Sequence, residues 1–466
     1  MIGLTKKEKY TNLDFLNLIS NAVNKFKFLN KKSFIKIIAH IDCDGLSSTS
    51  IIVKALERED FKFSVRNVKQ IDNNVLDELE KEKFDILFFL DLGSEYLKEI
   101  ESRFNKPIFI LDHHKFEQTK TNIIIVNPVM FDLDYRETSS SGVCYLFAKC
   151  LNEKNKDLAH IALMGAVGDM QEKNGFIGLN SLILEDAKEK LDVSIGPRFF
   201  GVQTRPINKV LEYSTDPFIP NVSGSEEGAI KFLDELNIDA RDNNGKFKKL
   251  IDLSQDDIKK LTSGIILNRL NEKNPEDIFG NLYTLKEEEQ GTPMKDLKEF
   301  STLLNAVGRF GRGSLGVSIC LRNEDAKKEA LGVLGSYKTE LIDILKWFNE
   351  NKDQFFSEGI AIINAKDSIK DSMIGTLASI VTKSNTYDPG TIVIALAHTE
   401  EDEIKISCRV TGNTDVDVRG MLKESVAMIG DYPCGGHKTA CGALIPKSKE
   451  EEFIKAISNI NYEKWQ

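Results

Sequence analysis

Four short apolar runs, "FIKIIAH", "FDILFFLDL", "PIFILDHH" and "NIIIVNP", fall between residues 34 and 128 and narrow the choice of fold more than anything else in this chain. Each is too short for an ordinary helix and too continuously apolar for a strand with one face in water. Each therefore reads as a strand buried on both faces. Helical patterns precede and separate them: an amphipathic stretch at 13–29, a helix from about Ser47 to Glu59, and "NNVLDELEKEKF". Strands and helices that alternate in this way are accommodated by a doubly wound, largely parallel sheet. Such sheets bind ligands at the carboxyl ends of their strands.

Those ends carry the chemistry. "HIDCDG" places His40, Asp42 and Asp44 after the first run, Asp91 closes the second, and Asp112, His113 and His114 close the third. Further on, "SSSGVCYLFAKCLN" reads as a helix capped by its serines, and "DLAHIALMGAVGDM" as a helix ending at Gly168 and Asp169. Singly, each aspartate is a turn former or helix cap. Together they suit two divalent ions, since carboxylates bridge metals and imidazoles fill the remaining positions. A pair of ions ~3.5–4 Å apart clamps an in-line attack on phosphorus and activates water at neutral pH, which points to phosphoester hydrolysis. Asp169 adds to this reading, because a carboxylate at a helix C-terminus is disfavoured by the helix dipole unless a cation faces it. Of the six histidines, His160, on an apolar helix face, and His398, at a strand end, are assigned to structure.

At 466 residues the chain is too long for one core. Its character changes near residue 195, where prolines and glycines precede charged helical segments, and strand-like runs return at "EGIAIINA", "TIVIALAHT", "EIKISCRV" and "ACGALIP", with helices at 415–429 and 449–459. Three domains are expected: a catalytic α/β domain at 1–195, a mainly helical insertion at 196–345, and a smaller C-terminal α/β domain at 346–466, with a substrate cleft between the two α/β domains. The apolar runs fall short of the ~20 residues that span a bilayer, and no export signal is visible, so the expected location is cytoplasmic, without a membrane role. Seven cysteines without a CxxC pair argue against a disulfide framework and a structural zinc site, and Cys43, between two aspartates, is assigned to packing. A net charge of −10 rules out a globally basic nucleic-acid clamp but leaves room for a local basic groove.

Near the C-terminus, "CGGHKTACGALIP" offers Gly435 and Gly436 for close backbone approach to an anion, with His437 and Lys438 as donors, an arrangement suited to a terminal phosphate. Arginine is scarce, 13 against 49 lysines, so Arg409 and the glycine-flanked Arg309 and Arg312 of "GRFGRGSLG" stand out as candidate phosphate forks. Phe310 between them is assigned to a core or turn position.

The ordered set "HIDCDG", "FLDLG", "LDHH" and "GAVGD", followed by "GGHKTACGALIP", resembles the motifs of the DHH phosphoesterase superfamily and its associated C-terminal domain. Length and the long middle insertion are most similar to archaeal RecJ-like nucleases, including the GINS-associated type. The resemblance implies His40, Asp42, Asp44, Asp91, His113 and Asp169 as metal ligands, with Asp91 bridging two manganese ions and magnesium as the alternative metal. It makes Asp112 a ligand or an orienting group and turns His114 toward the scissile phosphate. Arg409 matches a basic position of the associated domain. The implied activity is trimming of single-stranded DNA or RNA from an end to 5′-mononucleotides, in replication, repair or RNA turnover, with GINS or the replicative helicase as a partner docking on the helical middle region. His40 replaces the first aspartate of the bacterial RecJ triplet, so bacterial polarity does not carry across. Two other readings remain open: a phosphodiesterase of short oligonucleotides or cyclic dinucleotides, and a replisome scaffold of the same superfamily.

Overall fold

The computed structural model describes residues 6–357, 359–384, 386–412, 416–460 and 462–465, without the side chains of 6–11, 357, 437, 462 and 463. The chain divides into two units, Met1–Leu334 and Gly335–Gln466.

The first unit opens with α1 (Lys6–Lys27) and alternates β1 (Phe34–His40), α2 (Cys43–Arg58), β2 (Lys62–Val68), α3 (Asn73–Lys81), β3 (Ile86–Leu90), α4 (Leu97–Arg103), β4 (Ile108–Leu111) and β5 (Ile124–Val126). All four strand pairings are parallel and the order is β2-β1-β3-β4-β5. The chain therefore reverses its winding between β1 and β3, and a crevice opens at the carboxyl ends of these two neighbours. Every residue of β3 and β4 is buried, as continuous apolar runs require. Alternation along β3 divides the core: Phe88 faces Phe26 of α1, stacks on Phe109 at 4.8 Å and 7°, and meets Phe147, whereas Phe89 joins Leu76, Leu79 and Ile100 under α3 and α4.

Helices α5 (Ser140–Leu151), α6 (Ala159–Gly168) and α7 (Gly178–Ala187) follow. Next come β6 (Leu191–Pro197), α8 (Ile207–Glu212), α9 (Glu226–Glu235), α10 (Gln255–Asn268) and β7 (Phe279–Leu285), with a hydrophobic core of their own around Ile207, Leu211, Leu233, Leu261 and Ile265. The middle region is thus mostly helical, but β6 and β7 pair antiparallel across it, a sheet that local periodicity did not show. Helices α11 (Leu297–Arg309), α12 (Gly313–Cys320) and α13 (Glu324–Asn351) come after it.

The second unit is a mixed sheet of β8 (Phe356–Ser357), β9 (Ile360–Asn364), β10 (Ile392–His398), β11 (Glu403–Val410), β12 (Cys434–His437) and β13 (Ala440–Pro446), ordered β12-β13-β11-β10-β9-β8. Helices α14 (Asp371–Lys383), α15 (Val418–Ala427) and α16 (Glu450–Ser458) complete it.

Two local expectations are corrected. Helix α2 begins at Cys43 rather than near Ser47, because Asp42 accepts a hydrogen bond from Gly45 N at 3.0 Å and caps it inside the motif. Gly435, Gly436 and His437, whose glycine-rich stretch reads as a turn, belong to strand β12 and pair with β13. Among the described residues, no helix is long and apolar enough to cross a membrane.

Candidate metal centre

The residues singled out at the strand ends converge. His40 ends β1, and its Nδ1 lies 3.0 Å from Asp42 Oδ2 and 3.2 Å from Asp91 Oδ2. Asp91 follows β3 with a φ of 62°, in the left-handed region that aspartate tolerates better than most residues. Its other oxygen, Oδ1, lies 3.7 Å from His113 Nε2, which is 3.4 Å from Asp169 Oδ2 at the end of α6. Among the described residues, three groups of donors are close enough to share an ion: His40, Asp42 and Asp91; Asp44, His113 and Asp169; and Asp91, His113 and His114. Asp91 and His113 each appear twice, so the groups are adjacent and overlapping.

The residues fit a divalent ion on two counts. Among the described residues, Asp91 Oδ1 and Asp169 Oδ2 are buried without a hydrogen-bond partner, an expensive state for polar atoms unless something else satisfies them. Moreover, neighbouring ligands of an octahedral ion with bonds near 2.1 Å lie about 3 Å apart, close to the 3.0–3.7 Å separations here.

The electrostatics agree. Burial, then the charges of Asp42 and Asp44, push Asp91 well above the usual carboxylate range, and burial with the same two charges does so to Asp169. Without a cation these acids resist ionising together. For Asp42 and Asp112, burial is outweighed by the facing imidazoles of His40 and His114, and both are held below the usual range. Burial opposes charge on His114, yet the carboxylates of Asp112, Asp91 and Asp169 push it up to about 10. His40 rises too, its burial outweighed chiefly by Asp42, whereas burial and the positive His114 lower His113.

Asp44 and Asp112 have engagements of their own. Asp44 is buried and accepts from the backbone N–H groups of Ser140 at 2.8 Å and Ser141 at 3.0 Å, at the start of α5. Asp112 accepts from the amides of Ser94, His113 and His114 and holds His114 Nδ1 at 2.8 Å. It belongs to none of the three donor groups, and its geometry is that of an orienting side chain.

Sequence reading overlooked α11. Asn305 Oδ1 accepts from Cys43 N at 2.9 Å, and a Cβ at Gly308 would collide with the carbonyl oxygen of Ile41. Helix α11 thus presses directly on the loop between His40 and Asp42. The signal lies in "NAVGRFGRG", where Asn305 and Gly308 stand just before the two arginines. Arg309 is the last residue of α11, while Arg312 pairs with Glu329.

In the second unit Arg409 sits on β11 and donates to the carbonyls of Cys408 and Cys441. Gly435 and Gly436 lie on β12, Lys438 follows it, and the side chain of His437 lies outside the described residues. Arg419, also overlooked, donates to Gly436 O at 3.3 Å.

A parallel sheet with aspartates and histidines gathered over β1 and β3 defines a phosphoesterase-type metal fold, and comparison with known proteins agrees. The chain belongs to the DHH family: residues 34–166 match its N-terminal domain, 199–282 the DHH-CID domain and 357–463 the DHHA1 domain. An uncharacterized protein of Methanocaldococcus jannaschii is 34% identical over 452 residues, covering 94% of this chain and 95% of the relative. Among solved structures, the fold is similar to RecJ of Thermus thermophilus in complex with Mn2+ (TM-score 0.56, 14% identity, 96% of this chain), of whose length this chain spans about half, 54%. It is also similar to a manganese-bound exonuclease RecJ (TM-score 0.55, 14% identity, 95% of each chain) and to CDC45 of Entamoeba histolytica (TM-score 0.61, 14% identity, 96% of this chain and 98% of that one).

Proposed function

We propose that the protein is a metal-dependent exonuclease that hydrolyses single-stranded DNA or RNA from an end and releases 5′-mononucleotides. The observation that carries this reading is the set of overlapping donor groups linked through Asp91 and His113, with Asp91 Oδ1 and Asp169 Oδ2 buried without a hydrogen-bond partner among the described residues. His40, Asp42 and Asp91 would hold one ion, and Asp44, His113 and Asp169 the other. Manganese is the favoured metal, with magnesium as the alternative; the RecJ structures described above hold manganese. When bound, such a pair supplies Lewis acidity and an activated water at neutral pH.

The chain's own contribution is placement. Asp42 fixes its carboxylate by capping α2, and Asp44 by accepting the amides of Ser140 and Ser141 at the start of α5, so neither side chain has to order when substrate arrives. Asp112 holds His114 through Nδ1, which leaves the Nε2 edge as the part of the ring that meets a phosphate oxygen. Arg309 and Arg312 on the α11–α12 turn, and Arg409, Gly435, Gly436, His437 and Lys438 in the second unit, are assigned to substrate phosphates. The domain limits 1–195, 196–345 and 346–466 remain those we propose.

The test is digestion of matched DNA and RNA single strands, labelled at either end, with manganese, and Asp91→Ala as the control. Early release of labelled mononucleotide from one end, lost in the variant, is expected and gives polarity and sugar preference together. Activity confined to substrates of a few nucleotides would replace this reading with an oligonucleotide or cyclic-dinucleotide phosphodiesterase.

The likeness to CDC45 favours one addition, a nuclease that also docks on GINS through the region around α8, α9 and α10. Unchanged capture of GINS after deletion of residues 199–282 from an otherwise folded chain would refute it.

A further inference from the structure

Beyond Asp169 the surface carries aromatic and cationic side chains that the metal centre does not use. Glu172 and Lys173 tie this loop to its neighbours: Lys298 of α11 lies 3.3 Å from Glu172, and Lys173 lies 3.1 Å from Asp216. Asp216 also pairs with Arg198 at 2.6 Å. Three residues before Asp216 comes Tyr213, 55% exposed, and near it Phe200, 37% exposed. The guanidinium carbon of Arg205 lies 5.5 Å from the Tyr213 ring and 4.6 Å from the Phe200 ring.

The cations around Arg205 are engaged. Arg198 and Lys173 meet Asp216, and Lys209 meets Glu212 and Glu226, each at 2.8 Å. Arg205 differs: among the described residues its guanidinium makes no hydrogen bond or ion pair, although the side chain is half-buried. A guanidinium brings five N–H donors in a planar fork, and this one, held against two rings with the Glu299 charge near it but no hydrogen bond to it, keeps those donors for a ligand.

Its place in the fold says which ligand. Gln203 N and Thr204 Oγ1 donate to Glu299 at 2.8 and 2.5 Å, which fixes the Phe200–Arg205 loop to the first turn of α11. The same helix meets the metal loop through Asn305 and Gly308, six and nine residues further on, or roughly 9–14 Å along its axis at 1.5 Å per residue. A strand with its scissile bond at the metal centre that ran along α11 would reach this rim within a few nucleotides. Exposed rings suit stacked bases, and a fork-shaped cation suits the phosphate between them. An acidic peptide would meet the cation but offer nothing planar to the rings.

We propose that Phe200, Arg205 and Tyr213 form a subsite for the body of a single-stranded nucleic acid, with Arg205 on a phosphate and the two rings on bases. The proposal rests on the exonuclease reading and extends it to residues that no ligand motif marks. The measurement is fluorescence anisotropy of a labelled twelve-nucleotide strand with the full chain in chelator, over a salt series, for the unaltered protein, Arg205→Ala, Arg205→Lys and Tyr213→Ala. Arg205→Ala should weaken binding about tenfold and lower the salt slope by about one. Arg205→Lys should restore the salt slope but only part of the affinity. Tyr213→Ala should weaken binding about tenfold without altering the slope. Melting curves confirm that the variants are folded. If the unaltered protein binds the strand and Arg205→Ala binds it as tightly with the same slope, the subsite is refuted and an acidic protein becomes the better occupant. If the unaltered protein binds no single strand at any salt, the exonuclease reading fails, and the subsite with it.

Discussion

Asp44→Asn and Asp91→Asn are near-isosteric changes in one site, and the structure gives them effects of very different size in chelator. Asp44 accepts two backbone N–H groups at 2.8 and 3.0 Å at the start of α5. An asparagine there must turn its NH2 toward one of those donors, which removes one charge-assisted hydrogen bond and leaves a buried amide unsatisfied. The loss of negative charge at a helix N-terminus adds to this, for a total of about 2–4 kcal/mol. Asp91 has one oxygen without a hydrogen-bond partner, and burial with the charges of Asp42 and Asp44 already favours its neutral form, so Asn should cost less than about 1 kcal/mol. The assay is thermal unfolding with EDTA and then with manganese. In EDTA, Asp44→Asn should melt several degrees below the unaltered protein and Asp91→Asn within a degree or two of it. With manganese, the unaltered protein should gain stability as a ligand that binds only the folded state requires, and Asp91→Asn should lose most of that gain. Asp44→Asn as stable as the unaltered protein in EDTA would refute the capping argument.

Other expectations can be checked on the same chain. His160 is buried, and burial followed by the charge of Lys190 depresses its pKa from 6.5 to about 4. The unfolded chain therefore takes up a proton that the folded one refuses between those values, so this stability is present above pH 6.5 and lost as pH falls toward 4, by about 3 kcal/mol. Against His160→Gln, which cannot titrate, the unaltered protein should lose more melting temperature between pH 7.5 and 4.5; equal losses would refute the assignment. Gly308→Ala places a methyl on the Ile41 carbonyl and should cost about 1–3 kcal/mol and lower metal-dependent turnover; full turnover would show that α11 does not govern the loop. Phe88→Ala empties a position ringed by Phe26, Phe109 and Phe147 and should cost about 3–5 kcal/mol in denaturant unfolding; a loss under 1 kcal/mol would mean that the site collapses freely.

The legible parts of the sequence were those where one physical demand acts over a few neighbouring residues. "ILFFL" and "IFIL" can be little else than strands buried on both faces, and so the donors behind them were placed at one sheet edge. Strand β2, "KFSVRNV", went unread because its edge position leaves most of its residues half-exposed and its pattern polar. Strands β6 and β7 went unread because their partners are nearly ninety residues apart, and a pairing that distant leaves no local period. The start of α2 was placed too late because an aspartate among candidate ligands was taken for loop, when Asp42 is also the helix cap. Asn305 and Gly308 were invisible for a related reason: their role exists only when α11 lies against a loop more than 260 residues earlier.

The double engagement of Asp42 and Asp44 bears on how such motifs should be read elsewhere. A descendant of this chain that abandoned metal altogether would still use a carboxylate at Asp42 to cap α2 and one at Asp44 to satisfy the amides of Ser140 and Ser141 behind the Ser139 cap of α5. Selection for folding alone could preserve both. Asp91, His113 and Asp169 each carry a buried atom without a hydrogen-bond partner among the described residues, so folding gives less reason to keep them than it gives for Asp42 and Asp44. In a relative of unknown activity, those three positions are the better witnesses to surviving chemistry, and an intact acidic "HIDCDG"-like stretch by itself testifies only to an intact fold.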